Sequence, residues 1–142
     1  MIQRIQSVYL LLGAIVLGSS YLLDSIWTGP AAVASAWFTP LTLGLYSLTV
    51  AVSIASILLY ANRERQQVAI LVVMIAAVAG LIVLGAGMYI GGILPGMEST
   101  ETESIQTGLA ILTPLVSIAF FGLARRGVKK DIQLLKSVDR LR

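Results

Sequence analysis

The chain has 142 residues, of which 57% are hydrophobic and only 12% charged, with a formal net charge of +3 and a mean hydropathy of +0.89. Soluble domains carry roughly 25% charged residues, and a soluble fold this apolar would expose large patches, so the composition points to one membrane-embedded domain. The lack of Cys and His excludes disulfides, thiolate metal sites, cysteine nucleophiles and the usual imidazole base or ligand.

The first apolar run, Ser7 to Leu23, is long enough to cross a bilayer as a helix. A signal peptide is its rival reading, since Arg4, the stretch Val8 to Leu17 and Gly18-Ser19-Ser20 loosely fit one; an uncleaved anchor is the expectation. The loop Asp24 to Pro40 follows. Its apolar part, Ile26 to Phe38, is expected to rest on the membrane surface with a short helix begun at Gly29-Pro30. Thr39-Pro40 offers an N-cap and first-turn proline for a second span, Leu41 to Ala61. The third run, Val68 to Leu94, is the longest. The fourth, Ile105 to Ala124, is preceded by Thr100 and Glu103 as a capping box, and Pro114 should kink it and free a carbonyl near its middle. None of the four runs contains Lys, Arg, Asp or Glu. Because they are continuous rather than alternating, the fold class is all-α: a four-transmembrane-helix bundle over residues 1–124, spans near 7–23, 41–61, 68–94 and 105–124, followed by a tail at 125–142.

Arg4, Arg63, Arg65, Arg125, Arg126, Lys129, Lys130, Lys136, Arg140 and Arg142 are all the cations, and a four-span topology puts every one on the same side. The opposite loops carry Asp24, Glu98, Glu101 and Glu103 instead. The positive-inside rule then predicts both termini in the cytoplasm. Tyr21, Trp27, Trp37, Phe38 and Tyr89 are expected near the outer interface, and Tyr9, Tyr60, Phe120 and Phe121 near the inner one.

In the third run Gly87 and Gly91 form a GxxxG pair, as do Gly92 and Gly96, with Ala76 and Gly80 a weaker version. Small residues four apart flatten a helix face so that another backbone approaches closely, either within the bundle or from a separate subunit. Glu98, Glu101 and Glu103 crowd the second outer loop, but a calcium site needs about six oxygens in a fixed cage; the favoured reading is a solvated acidic face at a helix start, with no metal. The tail is amphipathic at helical spacing. Val128, Ile132, Leu134, Leu135, Val138 and Leu141 form one face and Arg126, Lys129, Lys136 and Arg140 the other, suited to lipid headgroups or a partner's surface and, without interleaved aromatics, not to nucleic acid. Polar groups within the spans are hydroxyls and Gln106, among them Ser47, Thr49, Ser53, Ser56, Thr113 and Ser117, most expected to bond to their own helix.

The opening Met1-Ile2-Gln3-Arg4-Ile5-Gln6-Ser7-Val8-Tyr9-Leu10-Leu11-Leu12, the Leu45-Tyr46-Ser47-Leu48-Thr49 stretch, Lys129-Lys130-Asp131 and Leu134 to Arg142 together resemble a small integral membrane family of Bacteroidota catalogued only as a domain of unknown function. The resemblance covers nearly the whole chain, although family members often have Glu where Ile132 stands. It implies a four-helix protein of the bacterial inner membrane and no site residues. The expected role is a non-catalytic structural or accessory subunit of a larger membrane complex, respiratory or secretory, without cofactor or enzymatic activity. Its partners would be lipids and other membrane subunits. The alternative is a small homo-oligomeric transporter or channel, disfavoured because proton-driven exporters need a carboxylate within the membrane.

Overall fold

The computed structural model describes residues 2–92 and 101–139. Its elements are α1 (Ile2–Ser19) with a 3-10 turn at Ser20–Leu22, α2 (Asp24–Trp27), α3 (Pro30–Ala34), α4 (Phe38–Leu58) with a 3-10 turn at Leu59–Ala61, α5 (Arg63–Ile90) and α6 (Glu101–Asp139). No strand occurs among the described residues. α1, α4, α5 and α6 are the four helices long and apolar enough to cross a membrane. Only a helix satisfies every backbone group of such a segment from within itself, which is why apolar runs this long fold this way in lipid. Around the bundle the order is α1, α4, α5, α6, with α6 closing back onto α1. Both described ends of the chain therefore lie at one end of the bundle, and α2 and α3 cap the other.

Helix ends follow local chemistry. Asn62 caps α5, its side-chain oxygen accepting from the Arg65 amide at 3.2 Å. α5 stops at Ile90, short of the expected 94, because Gly92 turns into the left-handed region at φ 71° while its amide bonds back to the Tyr89 carbonyl at 3.2 Å. α4 begins at Phe38 with Trp37 in the cap position, so Thr39 is not the cap that the Thr-Pro pair suggested. Pro40 falls in the first turn instead, where its missing N–H costs nothing. α3 starts as expected, with Gly29 as its cap and Pro30 at its first position. The Thr100 capping box lies outside the described residues.

α6 continues as helix past Ala124 into the amphipathic stretch whose spacing is helical. It runs as one helix through Pro114 and Gly127 to Asp139, 39 residues or about 58 Å. Pro114 cannot bond to the Ala110 carbonyl, and the Thr113 hydroxyl takes that acceptor at 3.3 Å. Beyond Ala124 the helix does not leave the bundle: Val128 and Asp131 remain buried.

Two apolar clusters make the core. One, toward the chain ends, joins Leu10, Ile70, Val73, Ala77, Phe121, Ala124 and Val128. The other, toward α2 and α3, joins Ile26, Ala31, Phe38, Leu84, Met88 and Ala110. Ile26 and Ala31 lock the connection between α1 and α4 onto the helix ends, so it closes the bundle rather than lying apart from it. Phe38 and Phe121, expected at the interfaces, are wholly buried core residues. Tyr9 with Phe120 and Tyr21 with Trp27 do pair on the flanks, the latter stacked at 5.4 Å and 4° between planes.

Candidate functional site

Three arrangements place polar or small groups where they do something specific. The first is a layer at the end carrying the chain termini. One turn beyond the Leu10–Ile70–Val128 packing, the same three helices bring in Gln6, Gln66 and Asp131, all buried. Gln6 Nε2 donates to Asp131 Oδ2 at 2.9 Å, linking α1 to α6 across 125 positions of sequence. Gln66 Nε2 donates to the Ser56 carbonyl at 3.1 Å, tying the start of α5 to the end of α4. Gly127 makes the first bond feasible, because a Cβ there would collide with the Gln6 side chain. Gly127 is thus a notch in a continuous helix.

The second is the inward face of α4. Thr42, Tyr46, Thr49, Ser53 and Ser56 are all fully buried, while Leu41, Leu43, Leu48, Ile54 and Leu58 face outward. Positions 42, 46, 49, 53 and 56 repeat at alternating steps of four and three, the spacing of one helix face. α4 is thus polar within and apolar without, as suits a helix whose outer solvent is hydrocarbon. Ser53 donates to the Leu10 carbonyl of α1 at 3.0 Å and so joins two helices. Thr49 and Ser56 donate to carbonyls four residues back, at 2.7 Å each, and Ser117 of α6 does the same at 2.8 Å. Thr42 Oγ1 and Tyr46 Oη find no hydrogen-bond partner.

The third is a set of glycine notches. On α5, Gly80 faces the Tyr46 ring, Gly87 the Phe38 ring, and Gly91 the backbone of Pro30 and Ala31; at each, a Cβ would force its neighbour to move. On α1, Gly13 faces the Phe121 ring in the same way. The small-residue positions Gly80, Gly87 and Gly91 are therefore occupied by this chain's own residues, and Ala76, one turn away, is buried too. Gly92 and Gly85 have open space where a Cβ would go.

The expected contact residues of the tail separate. Arg126 and Lys129 are exposed on α6, together with Lys130. Lys136 belongs to α6 but its side chain is not among those described, and Arg140 lies outside the described residues. Glu98 lies outside the described residues, and Glu101 and Glu103 fall in the first turn of α6. Among the described residues no three His, Cys, Asp or Glu side chains gather to hold a metal ion.

The match that decides the family spans nearly the entire bundle: the family model described as "Domain of unknown function (DUF4293)" covers residues 2–141. The chain belongs to the DUF4293 family. No curated protein matches it, and no solved structure does. Within this DUF4293 chain, Gln6, Asp131 and the alignment of Thr49, Ser53 and Ser56 with Thr42 and Tyr46 on one buried face are the features that the sequence reading did not single out. The signal was present for the row, in the regular spacing of its hydroxyls. For Asp131 it was fainter, a carboxyl between Val128 and Ile132 on the apolar stripe of an otherwise basic tail.

Proposed function

We propose that this DUF4293 chain is a non-catalytic structural or accessory subunit of a larger assembly in the bacterial inner membrane, with both termini in the cytoplasm. The observation that carries the reading is the arm of α6. From Arg125 to Asp139 it extends about 22 Å as helix. One face is held to α1 by Val128 packing and the Gln6–Asp131 bond, which leaves Arg126, Lys129, Lys130 and Leu134 outward. A helix fixed along one face and basic along the other is a rigid docking element, not a loose tether. Each cation near an anionic surface contributes about 1 kcal/mol, so lipid headgroups and an acidic subunit surface both suit it. The segregation of every Lys and Arg to one side supports the cytoplasmic orientation.

The buried hydroxyl row of α4 favours a second reading, a small homo-oligomeric transporter or channel, because hydroxyls and carbonyls line many conduction paths. Against it, Thr49, Ser53 and Ser56 spend their protons on backbone carbonyls, and the Tyr46, Phe38 and Phe121 rings fill the interior.

The orientation is tested by placing one cysteine in this cysteine-free chain, Glu64→Cys, on the exposed first turn of α5. A membrane-impermeant maleimide should leave it unlabelled in intact cells and label it after permeabilisation; labelling in intact cells reverses the topology. The subunit role is tested by purification in mild detergent. Wild type should remain in an assembly of fixed stoichiometry with a different protein, and Arg126→Glu with Lys129→Glu and Lys130→Glu should release it while staying folded. If wild type associates only with its own copies, the homo-oligomer replaces the accessory subunit.

A further inference from the structure

The outer half of α4 contains a contradiction that the rest of the helix does not share. The Thr49 and Ser56 hydroxyls donate to carbonyls of the preceding turn, and the Ser53 hydroxyl donates to a carbonyl of α1. Thr42 and Tyr46 are equally buried, at 0% exposure, yet neither hydroxyl has a partner. Unpaired hydroxyls away from solvent are strongly unfavourable, and more so in a membrane, where no bulk water can reach them. A native bundle tolerates two of them side by side only if something satisfies both.

Their geometry makes them neighbours. They stand four residues apart on one face, and side chains on a helix lean toward its N-terminus, so Tyr46 is directed back over the turn that holds Thr42. The register agrees: Phe38 sits on Gly87 and Tyr46 on Gly80, which puts Thr42 between those two contacts, level with Val83 and Leu84. Those residues offer no hydrogen-bonding side chain. Thr42 Oγ1 does not bond to the carbonyl of its own helix as Thr49 does, so both hydroxyls of this face are left without a partner.

We propose that Thr42 and Tyr46 hold one resident water molecule between α4 and α5, bridging the two hydroxyls. Each hydroxyl supplies a donor and an acceptor, and two polar partners are the fewest that retain a buried water. The ligand is water rather than a cation, because two neutral hydroxyls supply too few oxygens and no negative charge to strip an ion of its hydration shell. The site lies where the two apolar core clusters give way to the hydroxyl row. It therefore acts as a polar joint between the halves of the α4–α5 interface.

A double-mutant cycle on the full chain in lipid nanodiscs tests this, using the near-isosteric Thr42→Val and Tyr46→Phe. Each single change strands the partner hydroxyl and releases the water, so each should lower the folding equilibrium constant about tenfold. The double variant removes both stranded groups and should lose no more than either single. Thr42→Ser keeps the hydroxyl and should behave as wild type. Water-to-protein magnetisation transfer to the amides of residues 42–46 gives a readout independent of stability, expected in wild type and Thr42→Ser and lost in the other variants. Single variants as stable as wild type, or losses that simply add, would overturn the bridge. So would the absence of a water cross-peak in wild type, and stabilisation by added sodium or potassium would replace water with a cation.

Discussion

The two ends of the bundle are closed by opposite means. Where α2 and α3 cap it, closure is a matter of shape: the Phe38 ring enters the Gly87 notch, the first turn of α3 rests on Gly91, and Ile26, Leu84, Met88 and Ala110 fill what remains. At the end carrying the termini, closure is a matter of hydrogen bonds: Gln6 to Asp131 and Gln66 to the Ser56 carbonyl, set just beyond a Val128–Leu10–Ile70 layer. Both ends rely on a glycine, Gly87 in one and Gly127 in the other, but the first admits a ring and the second an amide. In lipid, apolar surface alone gives helices little reason to associate, since hydrocarbon is as good a neighbour as leucine. What remains is close packing and interhelical hydrogen bonding, and this chain uses one at each end.

The shape-closed end should be the more easily destroyed. Gly87→Leu drives four carbons into the space of the Phe38 ring and should cost more than about 3 kcal/mol, beyond the ordinary range for overpacking. Gly85→Leu on the same helix, at an exposed position with open space, should stay within about 0.5 kcal/mol. Reversible unfolding in mixed micelles measures both. Recovery of stability when Gly87→Leu is combined with Phe38→Ala would identify the ring as the cause; no recovery would mean that the notch serves something else.

At the other end the expected losses are smaller. Asp131→Ala leaves the buried Gln6 amide without its acceptor and should cost about 1–3 kcal/mol, with faster amide exchange along residues 125–135. Asp131→Asn keeps an acceptor and should cost less. Gln6→Leu with Asp131→Leu replaces both partners by apolar groups and should come close to wild type, as paired removal of a buried hydrogen bond often does. If that double variant instead loses as much as Asp131→Ala, the polar pair is required for more than holding the arm.

The smallest stability effect belongs to the outward face of the arm. Arg126→Gln, Lys129→Gln and Lys130→Gln together should change unfolding in neutral detergent by no more than about 0.5 kcal/mol, since all three side chains are exposed. Retention of the face that carries the chain termini on anionic lipid should nonetheless weaken, by about 1 kcal/mol for each charge removed. A large loss of stability here would mean that these cations, too, hold the bundle together.

How far each part could be read beforehand follows from the range of the forces involved. The four helices and their approximate spans were legible because runs such as Val68 to Leu94 reflect a one-dimensional property, apolar length against bilayer thickness. Gly80, Gly87 and Gly91 were legible as close-approach positions, since a missing Cβ marks them in the sequence. Which neighbour approaches was not, because Tyr46, Phe38 and Ala31 meet them only once α3 and α4 fold back. Gly13 and its Phe121 partner went unnoticed for the same reason: an isolated glycine carries no pattern.

The polar layer was the least legible. Gln6 and Asp131 stand 125 positions apart, and each alone resembles a solvated residue at a helix end. The sequence by itself determined the all-α class, the number of long apolar helices and the grouping of charge, because lipid imposes those demands on each segment separately. Only the tertiary structure decided that the last helix stays on the bundle past Ala124, that its carboxyl is buried, and that α4 turns its hydroxyls inward. Those outcomes depend on which helix face meets which neighbour, and contacts between distant segments, not composition, choose the face.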